Sequence, residues 1–382
     1  MKKIAIFSTT RADFGLFSPI LKEIEKRDNI SFLLFMGGTH LSKECGYTIT
    51  EAETNSIKIA DTFDYLLNES TSFSLAKASG ICTIELAHIF KNYKFDFVCV
   101  LGDRYEILPI VLNAILFKKP IIHLGGGSKT FGVIDEQIRN MVSKAAHIHF
   151  VSCEENALNL EKIGEPKWRI HNVGSTAVDN FNSNKTYSKK EIFKLLNLDL
   201  SKQVVLLTYH PVTLEFKLSA EKQMQNIFDA LGHFDFQVVI TAPNMEIDRN
   251  TIMDTIYKHI KNKSNYYLVD SLGALKYHSL LPHCEFIIGN SSSGIMEVPF
   301  FRIPTVNIGD RQKGRVRHQS IIDTDYEIGS IRDGIILALS EDFRNSIKLM
   351  KYKLGDGKSA KKIVDIIIRI QTNENLMRKN IY

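Results

Sequence analysis

The sequence contains no uninterrupted apolar run of about 18 residues, so nothing in it is long enough to span a bilayer as a helix. Its first stretch, MKKIAIFSTTRADFG, lacks the apolar region and small-residue cleavage site of a signal peptide. That stretch reads as a strand and a turn, and a cytoplasmic location is expected. The five cysteines, Cys45, Cys82, Cys99, Cys153 and Cys284, are odd in number and widely spaced, with no CxxC and no paired histidine spacing. That pattern excludes a disulfide framework and a zinc site, and the cysteines in apolar runs such as DFVCVLG are expected in the core. Low-complexity segments and repeats of roughly 20 to 50 residues are missing, which excludes solenoids. Charge of one sign is also in short supply: 48 Lys and Arg face 43 Asp and Glu, for a net charge of +5. The basic residues are scattered, so no nucleic-acid partner and no membrane partner are expected, although a local basic loop can still hold a phosphorylated small molecule. Residues 125 to 127 are all glycine, yet the full G-x-G-x-x-G fingerprint with its spaced acid is absent, and this excludes a nicotinamide cofactor.

What is present is a globular chain of 382 residues, 44% hydrophobic and 24% charged, a length that implies two domains. Short apolar runs alternate with amphipathic stretches throughout. In the first half, KIAIFS, SFLLFMG, DFVCVLG, PIIHL, HIHFVS and RIHNVG read as strands. SPILKEIEKR, SFSLAKASGICTIELAHIFKNY, RYEILPIVLNAILF and DEQIRNMVSKA read as helices. The second half repeats the pattern with VVLLTYH, QVVITAP, YYLVDS, EFIIGN and IPTVNIG. Consecutive parallel strands need long crossovers, so the alternation predicts two Rossmann-like, doubly wound α/β domains facing a cleft. The polar stretch GSTAVDNFNSNKTYSKKE places the hinge near residue 174, giving domains 1–173 and 174–356. The tail SAKKIVDIIIRIQ reads as a helix that either caps its own domain or crosses back to the first.

In open parallel sheets ligands bind beyond the carboxyl ends of the strands, so the residues that follow each apolar run carry the chemistry. GNSSSGIMEVP offers two tight-turn glycines, serine hydroxyls and a helix start at Gly294, a combination suited to a pyrophosphate, with Ser291 and Ser292 as donors. Glu297 is placed on the first turn, where it either accepts ribose hydroxyls or simply complements the helix. NIGDRQKGRVRH adds Arg311, Lys313, Arg315 and Arg317, either a solvated basic turn or a phosphate site, for which the arginine guanidinium forks suit phosphate oxygens. On the first domain, Asp103 in LGDR and Asp135 and Glu136 after the glycine loop are each either helix-capping residues or site carboxylates. Together they suit a reaction that moves a carbon-bound proton, which needs one base and one acid. His210, after VVLLTYH, is placed to donate a proton to a leaving phosphate.

Taken together, TTRADFG, LGDRYE, HLGGG...VIDEQIR, TYHPVT, GNSSSGIMEVP and NIGDRQKGR resemble, in order and spacing, the hydrolysing UDP-N-acetylglucosamine 2-epimerases, in the branch that feeds sialic-acid-like and legionaminic-type sugar synthesis. The resemblance implies a glycosyltransferase-B type fold, with helix 357–382 crossing back to the first domain, and a homodimer. It implies a UDP-sugar substrate and a reaction without metal or cofactor, through a glycal. It further implies that Arg11, Arg104, His210, Asn244, Ser291, Ser292, Gly294, Glu297 and Arg311 hold the nucleotide, and that Asp103 and Asp135 transfer protons. The chain departs from the family pattern at one point of consequence. The family's H-I-E-G-G reads His123-Leu124-Gly125-Gly126-Gly127 here, and acidic residues further along are replaced by Ser128 and Phe131. Glu136, or a water held by the loop amides, is expected to fill the gap, or else Gly125 makes room for an extra acylamino group on the sugar. The alternatives are a glycosyltransferase or plain nucleotide-sugar hydrolase on the same scaffold, and a catalytically silent UDP-sugar-binding protein.

Overall fold

The computed structural model describes residues 1–67, 71–131, 133–183, 186–212, 218–243, 246 and 248–379. The chain forms two compact units: Met1–Ser128, Asp135–Ser183 and Leu354–Tyr382 make the first, and Lys129–Ile134 and Asn184–Lys353 the second.

The first unit is built on β1 (Lys2–Ser8), β2 (Ile30–Gly37), β3 (Ile59–Phe63), β4 (Phe97–Leu101), β5 (Ile121–Leu124), β6 (Ile148–Val151) and β7 (Ile170–Asn172). Every pairing is parallel, in the order β3-β2-β1-β4-β5-β6-β7. The strand order therefore reverses between β1 and β4, where a ligand crevice is expected in such sheets. Ile4, Ala5, Ile6 and Phe7 of β1 are all buried. Burial on both faces is why this strand reads as a continuous apolar run and not as an alternation.

The second unit carries β8 (Val204–Thr208), β9 (Gln237–Thr241), β10 (Tyr266–Val269), β11 (Cys284–Gly289), β12 (Thr305–Ile308) and β13 (Ile321–Thr324), all parallel in the order β10-β9-β8-β11-β12-β13. Its reversal falls between β8 and β11. Each unit is thus a doubly wound α/β layer. Two edge strands, β3 and β13, are absent from the sequence reading, because IADTF and IIDT carry too much polarity to read as buried runs.

The expected hinge at residue 174 is corrected by the structure. The polar stretch contains helices Thr176–Ser183 and Lys189–Leu195, and Ala177 and Val178 are buried. Asp179 explains why helix Thr176–Ser183 stays with the first unit, although helix Lys189–Leu195 groups with the second: the Asp179 carboxylate accepts hydrogen bonds from the backbone N–H of Ser359 (3.1 Å) and Ala360 (2.9 Å). Those two amides open the helix Ser359–Arg369, whose Ile363, Val364 and Ile367 are buried in the core of the first unit beside Phe14 and Phe17 of helix Arg11–Ile24. Four of the cysteines are buried thiols, and Cys45 is half-buried. Among the described residues no helix is long and apolar enough to cross a membrane.

Candidate active site

At the switch point of the first unit the chain leaves β1 through Thr9 and Thr10, then enters helix Arg11–Ile24. Asp13 closes a capping box there: one carboxylate oxygen accepts from Thr9 N (3.1 Å), Thr9 Oγ1 (2.8 Å) and Thr10 N (3.0 Å). Burial raises the pKa of this carboxyl, against the lowering effect of Arg104 and those bonds. Arg104 forks onto Glu106, with Nη2 2.7 Å and Nε 3.2 to 3.3 Å from its oxygens. Glu106 is itself fully buried, and its pKa is raised by that burial despite the guanidinium. Arg11 opens the helix and acts electrostatically on Glu51.

Asp103 follows β4 across Gly102, which sits at φ +81°. Its carboxylate Oδ2 accepts from Arg139 Nε (2.9 Å) and from Arg139 Nη2. Arg139 is 1% exposed, and its Nη1 reaches Glu136 Oε2 (2.6 Å) and the Ser128 carbonyl (2.7 Å). Burial alone would lower the pKa of this guanidinium. The carboxylates together outweigh it, Asp103 first and then Glu136 and Asp135, so the net direction is up. One buried cation therefore gathers the three expected carboxylates. The gathering has a local cause, since Asp135 and Arg139 stand four residues apart and share a face of helix Asp135–Ala145.

The glycine loop between them is now specific in its reasons. At Gly127, φ is +74° and a Cβ would lie 2.0 Å from the Asn156 carbonyl, so only glycine fits. Gly125, at φ +85°, could carry a Cβ without a clash, since that atom would rest in ordinary van der Waals contact with the Gly102 backbone at 3.9 Å. Its N–H is used by the Phe150 carbonyl at 3.0 Å. Lys129–Ile134 groups with the second unit, where Phe131 N donates to Lys313 O at 3.0 Å.

At the switch point of the second unit, Asn290 is wholly buried and grips the backbone of His210 from both sides: its Oδ1 accepts from His210 N (2.7 Å) and its Nδ2 donates to His210 O (2.8 Å). Gln312 Nε2 donates to Asn290 O at 2.9 Å, tying the loop after β12 to the serine turn. Gly289 is required beside them, because a Cβ would meet the Thr208 carbonyl at 2.0 Å. The serine turn itself differs from expectation. Its helix runs Ser292–Met296, capped by Ser291, whose side chain accepts from Ser293 N. It starts two residues before Gly294, which is buried against Thr305. With only five residues, it ends before Glu297, so that carboxylate lies at the helix C-terminus and not on its first turn. There Glu297 contacts His278 Nε2 at 3.2 Å.

Arg311 is nearly buried. Its Nη2 reaches both oxygens of Glu246 (3.2 and 3.3 Å) and its Nε the Pro211 carbonyl (3.3 Å). Arg317 forks onto Asp323 of β13, and Arg315 lies 3.0 Å from Met296 Sδ. Asn244 lies outside the described residues.

Arg139, Asn290, Gln312 and Glu246 belong to these clusters, and the sequence alone assigns none of them a role. Asn290 and Gln312 lie inside motifs already noted, GNSSSG and GDRQKG. Arg139 could have been found from its helical spacing to Asp135.

Comparison with known proteins agrees with this architecture and these motifs. Residues 22–368 match the model of the family described as UDP-N-acetylglucosamine 2-epimerase. The chain belongs to this family. Among 2-epimerase relatives, it is 35% identical over 381 residues to the GDP/UDP-N,N'-diacetylbacillosamine 2-epimerase (hydrolyzing) of Campylobacter jejuni, covering 99% of this chain and 98% of that one. It is 29% identical over 381 residues to the UDP-N,N'-diacetylbacillosamine 2-epimerase (hydrolyzing) of Legionella pneumophila, covering 99% of both chains. Among solved structures, the UDP-GlcNAc 2-epimerase of Neisseria meningitidis bound to UDP-GlcNAc superposes with a TM-score of 0.83 at 18% identity, over 97% of this chain and 100% of that one. At that identity the likeness shows the fold, the two-layer architecture of glycosyltransferase-B type 2-epimerases.

Proposed function

We propose that the chain is a hydrolysing 2-epimerase of a UDP-linked 2-acetamido sugar, with a 2,4-diacetamido-trideoxy sugar as the preferred substrate. The observation that carries this reading is the buried Arg139 with Asp103, Glu136 and Asp135 around it, at the carboxyl ends of β4 and β5.

The reaction that suits these groups is redox-neutral, so it calls on no nicotinamide. Asp103, doubly bonded to Arg139, is held as a carboxylate and acts as the base that removes the proton from C2. The C1–O bond to UDP breaks, UDP leaves, and a C1=C2 glycal remains. Water then adds its oxygen at C1 and sheds a proton to the solvent, while Asp135, protonated at the start, gives its proton to C2 on the opposite face. The free 2-epimer leaves, Asp103 returns the C2 proton to solvent and Asp135 takes one up. Glu136 shares the guanidinium with Asp103 and helps to hold it. On the second unit, Ser291, Ser292 and Gly294 receive the diphosphate, His210 protonates the leaving phosphate, and Arg311 turns from Glu246 to the phosphate oxygens. Glu297 takes the ribose hydroxyls. Arg11, Arg104 and Asn244 complete the nucleotide site.

Two facts support the diacetamido sugar. The two hydrolysing relatives named above both carry diacetylbacillosamine in their names, and Gly125 brings no side chain to the turn beyond β5, where a Cβ would meet nothing nearer than the Gly102 backbone at 3.9 Å. A place in sialic-acid-like sugar synthesis is supported by 31% identity over 347 residues to polysialic acid biosynthesis protein P7 of Escherichia coli. We also assign a homodimer, supported by the apolar side chains exposed on two packed helices, Ser72–Asn92 (Ile81, Ile84) and Ile107–Leu116 (Leu112, Ile115, Leu116). Steady-state assays of UDP release test the substrate. A higher kcat/KM for the UDP-linked 2,4-diacetamido sugar than for UDP-N-acetylglucosamine is expected, and an equal or lower value rejects that choice.

A further inference from the structure

His123 occupies the third position of β5 and is wholly buried. Both ring nitrogens have partners. Nε2 lies 2.8 Å from the Gly102 carbonyl, and Nδ1 lies 3.4 Å from Ser143 Oγ. A carbonyl can only accept, so Nε2 carries the hydrogen. Burial, reinforced by the neighbouring His149, lowers the ring's pKa to about 3, so Nδ1 is a bare acceptor for the Ser143 hydroxyl. The tautomer is therefore determined by the neighbours alone.

Those two neighbours belong to the site. Gly102 is the residue before Asp103, and its positive φ sets the turn that presents the carboxylate. Ser143 stands four residues beyond Arg139 on helix Asp135–Ala145. The helix thus grips the β4 turn twice: Arg139 holds the Asp103 carboxylate, and Ser143, through His123, holds the backbone just ahead of it. Two further contacts keep the ring from swinging. A Cβ at Gly126 would lie 3.0 Å from Nδ1, so the loop glycine closes over the imidazole. On the other side His149 meets it edge to face at 6.1 Å, and His149 is itself held by the buried Glu165 at 3.1 Å.

We propose that His123 is a positioning residue for the epimerisation, with its Nε2 hydrogen anchoring the Gly102 carbonyl so that Asp103 keeps the orientation needed to take the C2 proton. The imidazole carries no proton to or from substrate. This inference rests on the reading of the site as a 2-epimerase.

The test compares wild type with His123→Gln, His123→Leu and Ser143→Ala, measuring kcat, KM, UDP affinity and the pH dependence of kcat for each. In His123→Leu the anchor is gone, and kcat is expected to fall about 10- to 100-fold, with KM and UDP affinity within about 2-fold of wild type. His123→Gln replaces the Nε2 donor with an amide N–H and is expected to recover kcat to within about 5-fold, with the pH profile unmoved. If His123→Leu does not fold, Ser143→Ala decides, with an expected loss of about 3- to 10-fold in kcat alone. Wild-type kcat in the leucine variant, or in Ser143→Ala where the leucine variant is lost, overturns the proposal. So does disappearance of a limb of the pH profile in His123→Gln, which would make the histidine a proton carrier. Absence of turnover by wild type rejects the functional reading and takes this inference with it. Turnover by wild type with an unimpaired leucine variant rejects the inference alone.

Discussion

At the scale of single residues, Arg139 decides how the first-unit acids are used. With 1% of its side chain exposed and two carboxylates on its guanidinium, it cannot be removed without stranding their charges. Arg139→Met is expected to cost about 3 to 5 kcal/mol of stability, measured by urea unfolding, the usual penalty for breaking a buried pair. Asp103→Asn keeps the volume and removes the base: kcat is expected to fall about 10²- to 10⁴-fold while calorimetry finds UDP affinity nearly unchanged. A wild-type rate would remove Asp103 from the mechanism. The glycines separate in the same way. Gly125→Ala meets only the cost of a left-handed residue, about 1 to 2 kcal/mol, whereas Gly127→Ala also drives a methyl into the Asn156 carbonyl and is expected to destabilise further. Asp103 is legible because it follows an apolar run almost directly, and Asp135 and Glu136 because they open a helix after the glycine loop. Arg139 was not, because an arginine in the middle of a helix reads as a solvated face until tertiary packing buries it. For the same reason Glu246, which pairs with Arg311, had no local signal.

At the scale of elements, the strands that carry the site announced themselves as apolar runs, and helix Asp135–Ala145 as a spaced pattern. Short or polar elements did not. Helix Ser292–Met296 is too brief for its start to be placed by pattern, which is why Glu297 was read at the wrong end. Helix Thr176–Ser183 was read as linker because its few apolar residues lie among polar ones, although Asp179 ties it to helix Ser359–Arg369. The segment after that helix is stitched down as well. Arg169 donates to the carbonyls of Asn375, Leu376 and Arg378, and Lys379 Nζ lies 2.8 and 2.9 Å from the oxygens of Glu165. Burial would raise the pKa of Glu165, but His149 and Lys379 lower it overall. A depressed carboxylate contributes stability above its unfolded pKa and loses it as pH falls through the folded value. Lys379→Met is therefore expected to lower the melting temperature at neutral pH, and the gap from wild type should narrow on acidification through and below the ordinary glutamate range, as Glu165 protonates. A constant gap would mean that the lysine acts by packing alone.

At the scale of the whole molecule, the α/β class and the parallel sheets were readable from alternation, because strands covered on both faces must be apolar throughout. The edges β3 and β13 are not, since a polar edge strand looks like a loop, whereas the edges β7 and β10 are legible in RIHNVG and YYLVDS. The buried histidines give the molecule a common response to acid. His40 and His147 have pKa values lowered to about 4, and His318 likewise to about 4, in each case chiefly by burial. With His123 they remain neutral in the folded chain, while the unfolded chain binds their protons near pH 6.5. Stability is then full above that pH and falls below it, each site adding at most about 1.4 kcal/mol per pH unit. The melting temperature is expected to be level from about pH 8 to pH 7 and to fall steadily towards pH 5. A level curve down to pH 5 would mean that these imidazoles are reached by water. The central claim is that Asp103 takes a proton from carbon, and mass spectrometry of the product formed in heavy water tests it most directly. One solvent deuterium at C2 of the freed sugar is expected for every UDP released, and UDP release with only hydrogen at C2 would contradict that role for Asp103.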